Sequence, residues 1–471
     1  MPLLIRHGEV LNAGSRFHAD VLCEGGTLTR VEPSIDPAGL PGAEVLDASG
    51  CFVMPGLIDP HVHVHLPFMG TSAKDTHATA SRAAVAGGTT TFLEMALPGP
   101  EDDPAEALAG WARRAAGASV CDYGFHLGVS RWDPGVEAHL REAVAAGARS
   151  FKVFLAYRGA LDLDDAGLFG VCELAAELGV VVCAHCENAA LVDRLQARLV
   201  AEGKVGPQWH EPSRPAYVEA EGVHRFCAFL EATGARGYVV HTSCREALDA
   251  AAPFQLRGVD VQVEAVLPHL LLTRERTGST AGDPRAVDPS FEGAKFVMSP
   301  PLREPADVEA LWSGLLTGRV AAVGTDHCPF DFQGQKDVGR PPAGDFTKIP
   351  NGIPGIEHRP QLLWHHGVNL RGMDPCRFVE VASTAAARRF GLSPRKGAVQ
   401  PGADADLVVW DPAREATISA AAQHSDVDHC VYEGWRAVGG PRATVVAGEV
   451  LARDGRCTLD PAAPGRGRRL T

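Results

Sequence analysis

The stretch Ile58-Asp59-Pro60-His61-Val62-His63 sets two imidazoles two residues apart. Alternate residues of a β-strand share a face, so His61 and His63 can reach one metal ion side by side. Neutral imidazole is a common zinc ligand. Two ordinary histidines give the same string, and the weight here comes from recurrence. Lys152, His185, His241 and Asp326 each stand at the end of a later apolar, strand-like run. Four imidazoles, a carboxylate and a lysine converging from five strands point to a metal site. Lys152 is the odd member, because divalent cations repel an ammonium and burial already disfavours the charged amine. As a neutral amine it can take up carbon dioxide, and the resulting carbamate offers two oxygens that can bridge two metals as a carboxylate does.

The elements that must position these residues are eight short apolar runs, of the kind expected for buried parallel strands. They are Phe52 to His63, Thr89 to Leu97, Tyr123 to Ser130, Ser150 to Tyr157, Val180 to Cys186, Gly237 to Ser243, Val259 to Leu267 and Val320 to Cys328. Helical stretches rich in Ala, Leu and Glu lie between them, such as Glu137 to Ala146, Asp164 to Leu178 and Ala220 to Thr233. This α/β alternation predicts a (β/α)₈ TIM-type barrel, in which catalytic groups gather at the C-terminal ends of the strands. An open doubly wound sheet is the competing fold, but no Gly-rich dinucleotide fingerprint supports it.

Both ends are short-stranded and Gly-punctuated. Residues 1–53 and 397–471 are therefore expected to form one small β-sandwich beside a barrel of residues 54–396. The basic tail Arg466 to Arg469 reads as a frayed end. Two Gly/Pro-rich loops, Arg274 to Ala294 and Asp331 to Gly355, are long enough to be functional, and the second follows the last strand onto the barrel mouth.

The net charge of −14 argues against a nucleic-acid or anionic-membrane partner, each of which needs a basic footprint. The first twenty residues hold no signal-peptide apolar core, and no run reaches membrane-spanning length, so a cytoplasmic protein is expected. The twelve cysteines show no framework spacing. Cys183 and Cys186 bracket His185 without a second pair, so reduced, mostly buried thiols are expected.

Longer strings now become informative. Pro55-Gly56-Leu57-Ile58-Asp59-Pro60-His61-Val62-His63, Ser150-Phe151-Lys152-Val153-Phe154 and Gly324-Thr325-Asp326-His327-Cys328-Pro329-Phe330 resemble the cyclic amidohydrolases. Lys295-Phe296-Val297-Met298-Ser299-Pro300-Pro301-Leu302-Arg303 and Ile349-Pro350-Asn351-Gly352-Ile353-Pro354-Gly355-Ile356-Glu357 are similar to the dihydropyrimidinase and D-hydantoinase branch. The likeness runs over nearly the whole chain.

The resemblance implies metal-dependent hydrolysis of the cyclic amide of dihydropyrimidines or 5-substituted hydantoins, giving N-carbamoyl amino acids. It implies two divalent ions, zinc by preference. His61, His63, carbamylated Lys152 and Asp326 would hold one, and His185, His241 and the same carbamate the other. In the implied mechanism, cations roughly 3.5–4 Å apart acidify a bridging water. The hydroxide attacks the ring amide carbon, and Asp326 carries its proton to the leaving nitrogen. Tyr157 matches the tyrosine that polarises the scissile carbonyl. Ser299 and Asn351 match residues that hold the ring amide through backbone groups. The ring substituent would face apolar Leu66, Phe68, Phe154 and Leu161. Relatives are usually tetramers, so a homotetramer is expected by analogy.

The chain departs from the pattern at two places. Two residues after His63, dihydroorotases carry an arginine, allantoinases usually an asparagine, and the dihydropyrimidinase branch commonly an acid. Here the residue is His65, before Leu66-Pro67-Phe68-Met69-Gly70-Thr71 returns to the branch pattern. Leu161 stands where D-hydantoinases often have an aromatic. An allantoinase-like ureide hydrolase is the rival enzyme. Non-catalytic assembly proteins of the same fold have lost metal ligands, whereas all six ligand positions are filled here.

Overall fold

Eight parallel strands succeed one another through the middle of the chain, in a computed structural model that describes residues 1–99, 101–278 and 286–471. They are Leu57–Val62 (β1), Thr89–Ala96 (β2), Asp122–Gly128 (β3), Ser150–Phe154 (β4), Val181–His185 (β5), Arg236–Val239 (β6), Val261–Val266 (β7) and Ala322–Gly324 (β8). Spatial order follows chain order from β1 to β8, so there is no point at which a doubly wound sheet would reverse. Beyond β8 the chain closes onto β1: His63 N–H donates to His327 O at 2.7 Å, and Asp326 N–H to His61 O at 3.0 Å. The result is a closed (β/α)₈ barrel. Its strands are apolar runs because both faces are covered; every residue of β1, β2, β4 and β5 is buried.

The intervening helices end where capping chemistry dictates. Asp165–Leu178 starts on Asp164, whose carboxylate accepts from Gly167 N–H, and stops at Gly179 in the left-handed conformation. Its buried stripe of Leu168, Val171, Cys172 and Leu174 packs against the barrel.

The expected single run from Phe52 to His63 is two strands. Phe52–Pro55 pairs with Leu3–Asn12 and with Leu407–Thr417 in a separate nine-stranded sheet built from both chain ends. The break falls at Gly56, where a Cβ would sit 2.0 Å from the Thr90 hydroxyl. This second sheet closes over its own core, including Leu3, Ile5, Val21, Leu407, Val409 and Val445.

The basic tail is not frayed. Gly467 N–H donates to Ser119 O, Leu470 N–H donates to Tyr123 O at 2.7 Å, and Tyr123 N–H donates to Arg468 O at 3.0 Å. The Arg468 guanidinium reaches Asp122 at 2.7 Å and Asp404 at 3.0 Å. Lys396, also buried, meets Asp122 at 2.8 Å and contacts Asp406. Burial raises the Asp122 carboxyl, but Lys396 and Arg468 outweigh it and hold the group below its ordinary value. Lys396→Ala leaves two buried carboxylates short of a counter-charge and is expected to destabilise the fold by about 3–5 kcal/mol, read from the denaturant midpoint. An unchanged midpoint would show that Arg468 alone suffices.

The loop from Asp331 to Gly355 is ordered by two 3-10 turns, Lys336–Gly339 and Phe346–Lys348. Of the loop from Arg274 to Ala294, residues 279–285 lie outside the described residues.

Candidate metal centre and substrate cavity

The barrel brings the six sequence-derived ligand candidates to one mouth. His61 lies in β1 and His63 just beyond it, Lys152 is the middle residue of β4, and His185 ends β5. His241 and Asp326 stand two residues past β6 and β8, with φ of +39° and +52°. Tyr157 follows β4 at φ +65°. Such conformations in non-glycine residues cost roughly 1–3 kcal/mol each and persist where surrounding structure enforces them. Of the nine non-glycine residues with positive φ among the described residues, these three line the mouth.

Two donor groups face each other. Asp326 Oδ1 lies 3.2 Å from His61 Nε2 and 3.1 Å from His63 Nε2. His185 Nδ1 and His241 Nε2 converge at 2.9 Å. The His61 and His241 rings, 5.3 Å apart between centroids, link the groups. Lys152 Nζ is buried without a hydrogen-bond partner among the described residues, as is His61 Nε2. A buried ammonium with no acceptor is costly, and so is an imidazole lone pair aimed at a carboxylate. Cations held among these atoms would remove the second cost, and conversion of Lys152 to an anionic carbamate would remove the first. The donor set therefore fits a divalent metal centre.

The electrostatics favour the same chemistry. Burial pushes His61 and His241 well below the ordinary imidazole range, and His185 is lowered too despite Glu187. All three are neutral at physiological pH, the state that ligates metal. Burial pulls the Lys152 amine down to about 8, which leaves a sizeable uncharged fraction for reaction with carbon dioxide. Burial raises Asp326, but His61 and His63 overcome it and hold the carboxyl at about 2, so it is ionised.

Reading strand ends alone passes over the groups that aim these ligands. Glu264 Oε1 accepts from His61 Nδ1 at 2.8 Å and from the His241 backbone N–H at 2.9 Å. Glu187 accepts from His185 Nε2 at 2.7 Å and from Arg214 at 2.6 Å. Carboxylates of this kind fix the tautomer and ring orientation of ligand histidines. The signal for Glu264 was present: it is an acid inside the apolar run Val261-Gln262-Val263-Glu264-Ala265-Val266, and a buried acid is rarely unpaired.

Above the donors lies a narrow cavity. Leu66, Phe68, Phe154, Leu161, Tyr157, Ser299 and Asn351 all line it, together with Leu97 and Cys328, which sequence reasoning did not single out. The Tyr157 ring meets Phe68 edge-on at 5.4 Å and His185 at 5.3 Å. Burial raises the Tyr157 phenol, against the pull of Arg214 lying over the ring, so it stays protonated and able to donate. His65 is exposed, turned by a φ of +50°, and does not line the cavity.

The chain is similar along nearly its whole length to known proteins. Residues 52–451 match the amidohydrolase family. The chain is 49% identical to a D-hydantoinase (dihydropyrimidinase) of known structure from Thermus sp., with a TM-score of 0.93 over 99% of this chain and 98% of the other. It is 39% identical to a D-hydantoinase of Geobacillus stearothermophilus, over 96% of this chain and 93% of that one. A D-hydantoinase of Streptomyces coelicolor is 40% identical, over 96% and 94% respectively.

Proposed function

The chain belongs to the amidohydrolase family, and on that premise we propose that it hydrolyses the cyclic amide bond of dihydropyrimidines or 5-substituted hydantoins to N-carbamoyl amino acids. The observation that carries this reading is one cavity with an apolar wall, an edge formed by Ser299 and Asn351, and a floor of imidazoles around Lys152 and Asp326. His61, His63, Asp326 and a Lys152 carbamate would hold one divalent ion, and His185, His241 and the same carbamate a second, zinc being the choice that suits imidazole and carboxylate donors. Bound there, the ions supply acidified water and polarise the amide carbonyl.

The chain's own residues do the rest. Ionised Asp326 accepts the proton of the attacking water and returns it to the ring nitrogen as the C–N bond breaks. The Tyr157 hydroxyl donates to the carbonyl oxygen as negative charge gathers on it. Backbone groups of Ser299 and Asn351 orient the ring amide, while Leu66, Phe68, Phe154 and Leu161 take the substituent, gaining roughly 25 cal/mol per Å² of apolar surface buried. We take the two chain ends, through Pro55 and from residue 397 onward, as one unit beside the barrel, because the strand Phe52–Pro55 carries the terminal sheet two residues past the expected boundary at 53. A cytoplasmic homotetramer is the working form we propose. Among the described residues no helix is long and apolar enough to cross a membrane, and all the cysteines are unpaired.

The test is a substrate panel at one pH. Dihydrouracil and a 5-alkyl hydantoin are expected to exceed dihydroorotate and allantoin in kcat/KM. Dihydroorotate brings a carboxylate, and an unpaired buried charge is costly. The side chain at position 65 is exposed and does not line the cavity, so it offers that carboxylate no partner there. The assignment fails if dihydroorotate or allantoin leads.

A further inference from the structure

Lys336 lies in the loop over the barrel mouth and is fully buried. Its Nζ donates to Val297 O and to Pro350 O, each at 2.9 Å. Val297 is two residues before Ser299, and Pro350 directly precedes Asn351. Val297 O also accepts from Gly352 N–H at 3.0 Å, so amine and amide draw the two segments onto one carbonyl. Burial pulls the Lys336 amine down to about 7. A neutral amine keeps two N–H donors, which match the two carbonyls in either protonation state.

The preceding residue makes a parallel set of contacts. Gln335 Nε2 donates to Thr71 Oγ1 at 2.6 Å and to Ser72 O at 2.9 Å, while its Oε1 accepts from Asp331 N–H at 2.6 Å. Thr71–Ser72 pairs with Pro67–Phe68, the hairpin that presents the Phe68 ring to Tyr157. Two adjacent side chains thus tie down two separate segments of the cavity lining, and neither lines it.

We propose that Gln335 and Lys336 are positioning residues for substrate recognition: Lys336 sets the edge formed by Ser299 and Asn351, and Gln335 sets the apolar wall that carries Phe68. The inference rests on the reading of this cavity as a cyclic-ureide site. A clamp of this kind separates affinity for the ring amide from selectivity for its substituent, and it does so without touching substrate.

Lys336→Met keeps the aliphatic stem and removes the donors. It is expected to raise KM for dihydrouracil about tenfold, the scale of one or two lost hydrogen bonds, with a much smaller change in kcat. Gln335→Leu is expected to lower kcat/KM for a 5-benzyl hydantoin about tenfold relative to dihydrouracil on the same scale. Hydrogen exchange supplies a readout independent of activity. Lys336→Met should speed exchange at residues 297–299 and 351–353 and leave 67–72 unmoved, and Gln335→Leu should do the reverse. Gln335 is only half-buried, so that variant keeps the test open if Lys336→Met does not fold. Unmoved exchange in the named segments, or a fall in kcat at constant KM, overturns the proposal. If exchange moves as expected while wild-type protein hydrolyses no cyclic ureide, the clamp stands and the substrate reading falls.

Discussion

Lys152→Ala is expected to lower kcat/KM by at least about a thousandfold, the scale set by removing an electrostatic group at a reacting centre. Lys152 lines the same cavity as His63 and Asp326 of one donor group and His185 and His241 of the other. Among the described residues its buried amine has no hydrogen-bond partner, an expensive arrangement for a plain lysine. The carbamate forms when the neutral amine nitrogen bonds to the carbon of carbon dioxide and releases a proton. Alanine abolishes that anion, and two cations would face each other with less compensating charge. Wild-type protein is expected to carry about two divalent metals per chain and to lose activity to a strong chelator. The variant is expected to lose occupancy at both positions. Active wild-type enzyme free of metal, or a mass spectrum showing an unmodified Lys152 in active enzyme, would sink the bridging role.

How far the site could be read in advance depends on how local each signal is. His61 and His63 were legible because a strand's period of two fixes their common face. The barrel was legible because strands covered on both faces must be apolar throughout, and β2 and β5 show this plainly. Less local features were harder to see. β8 spans only Ala322–Gly324, because the chain past Gly324 leaves the extended conformation to bring Asp326 into the mouth at φ +52°. The split at Gly56 depends on Thr90, a residue remote in sequence. The basic tail looked unanchored because Asp122, Ser119 and Tyr123, which hold it, lie more than 340 residues earlier. His65 departed from every family pattern at its position, and the structure turns it outward instead of into the cavity.

The same distinction separates the two roles proposed for Asp326, and Asp326→Asn tests them against each other. As a ligand, Asp326 presents Oδ1 toward the Nε2 atoms of His61 and His63. As a proton shuttle it must be an ionised base next to the attacking water, and His61 and His63 hold it at about 2 against the opposing effect of burial. Asparagine retains an oxygen of nearly the same reach, so metal content should fall little. Its amide oxygen does not take up a proton at neutral pH, so general acid–base assistance is lost, an effect of about 10²–10⁴ in kcat. Measuring kcat and metal content on the same preparation gives the answer. A large loss of kcat at near-normal occupancy supports proton transfer through Asp326. Loss of both in proportion would make it a ligand alone, and near-normal turnover would remove it from the chemistry altogether.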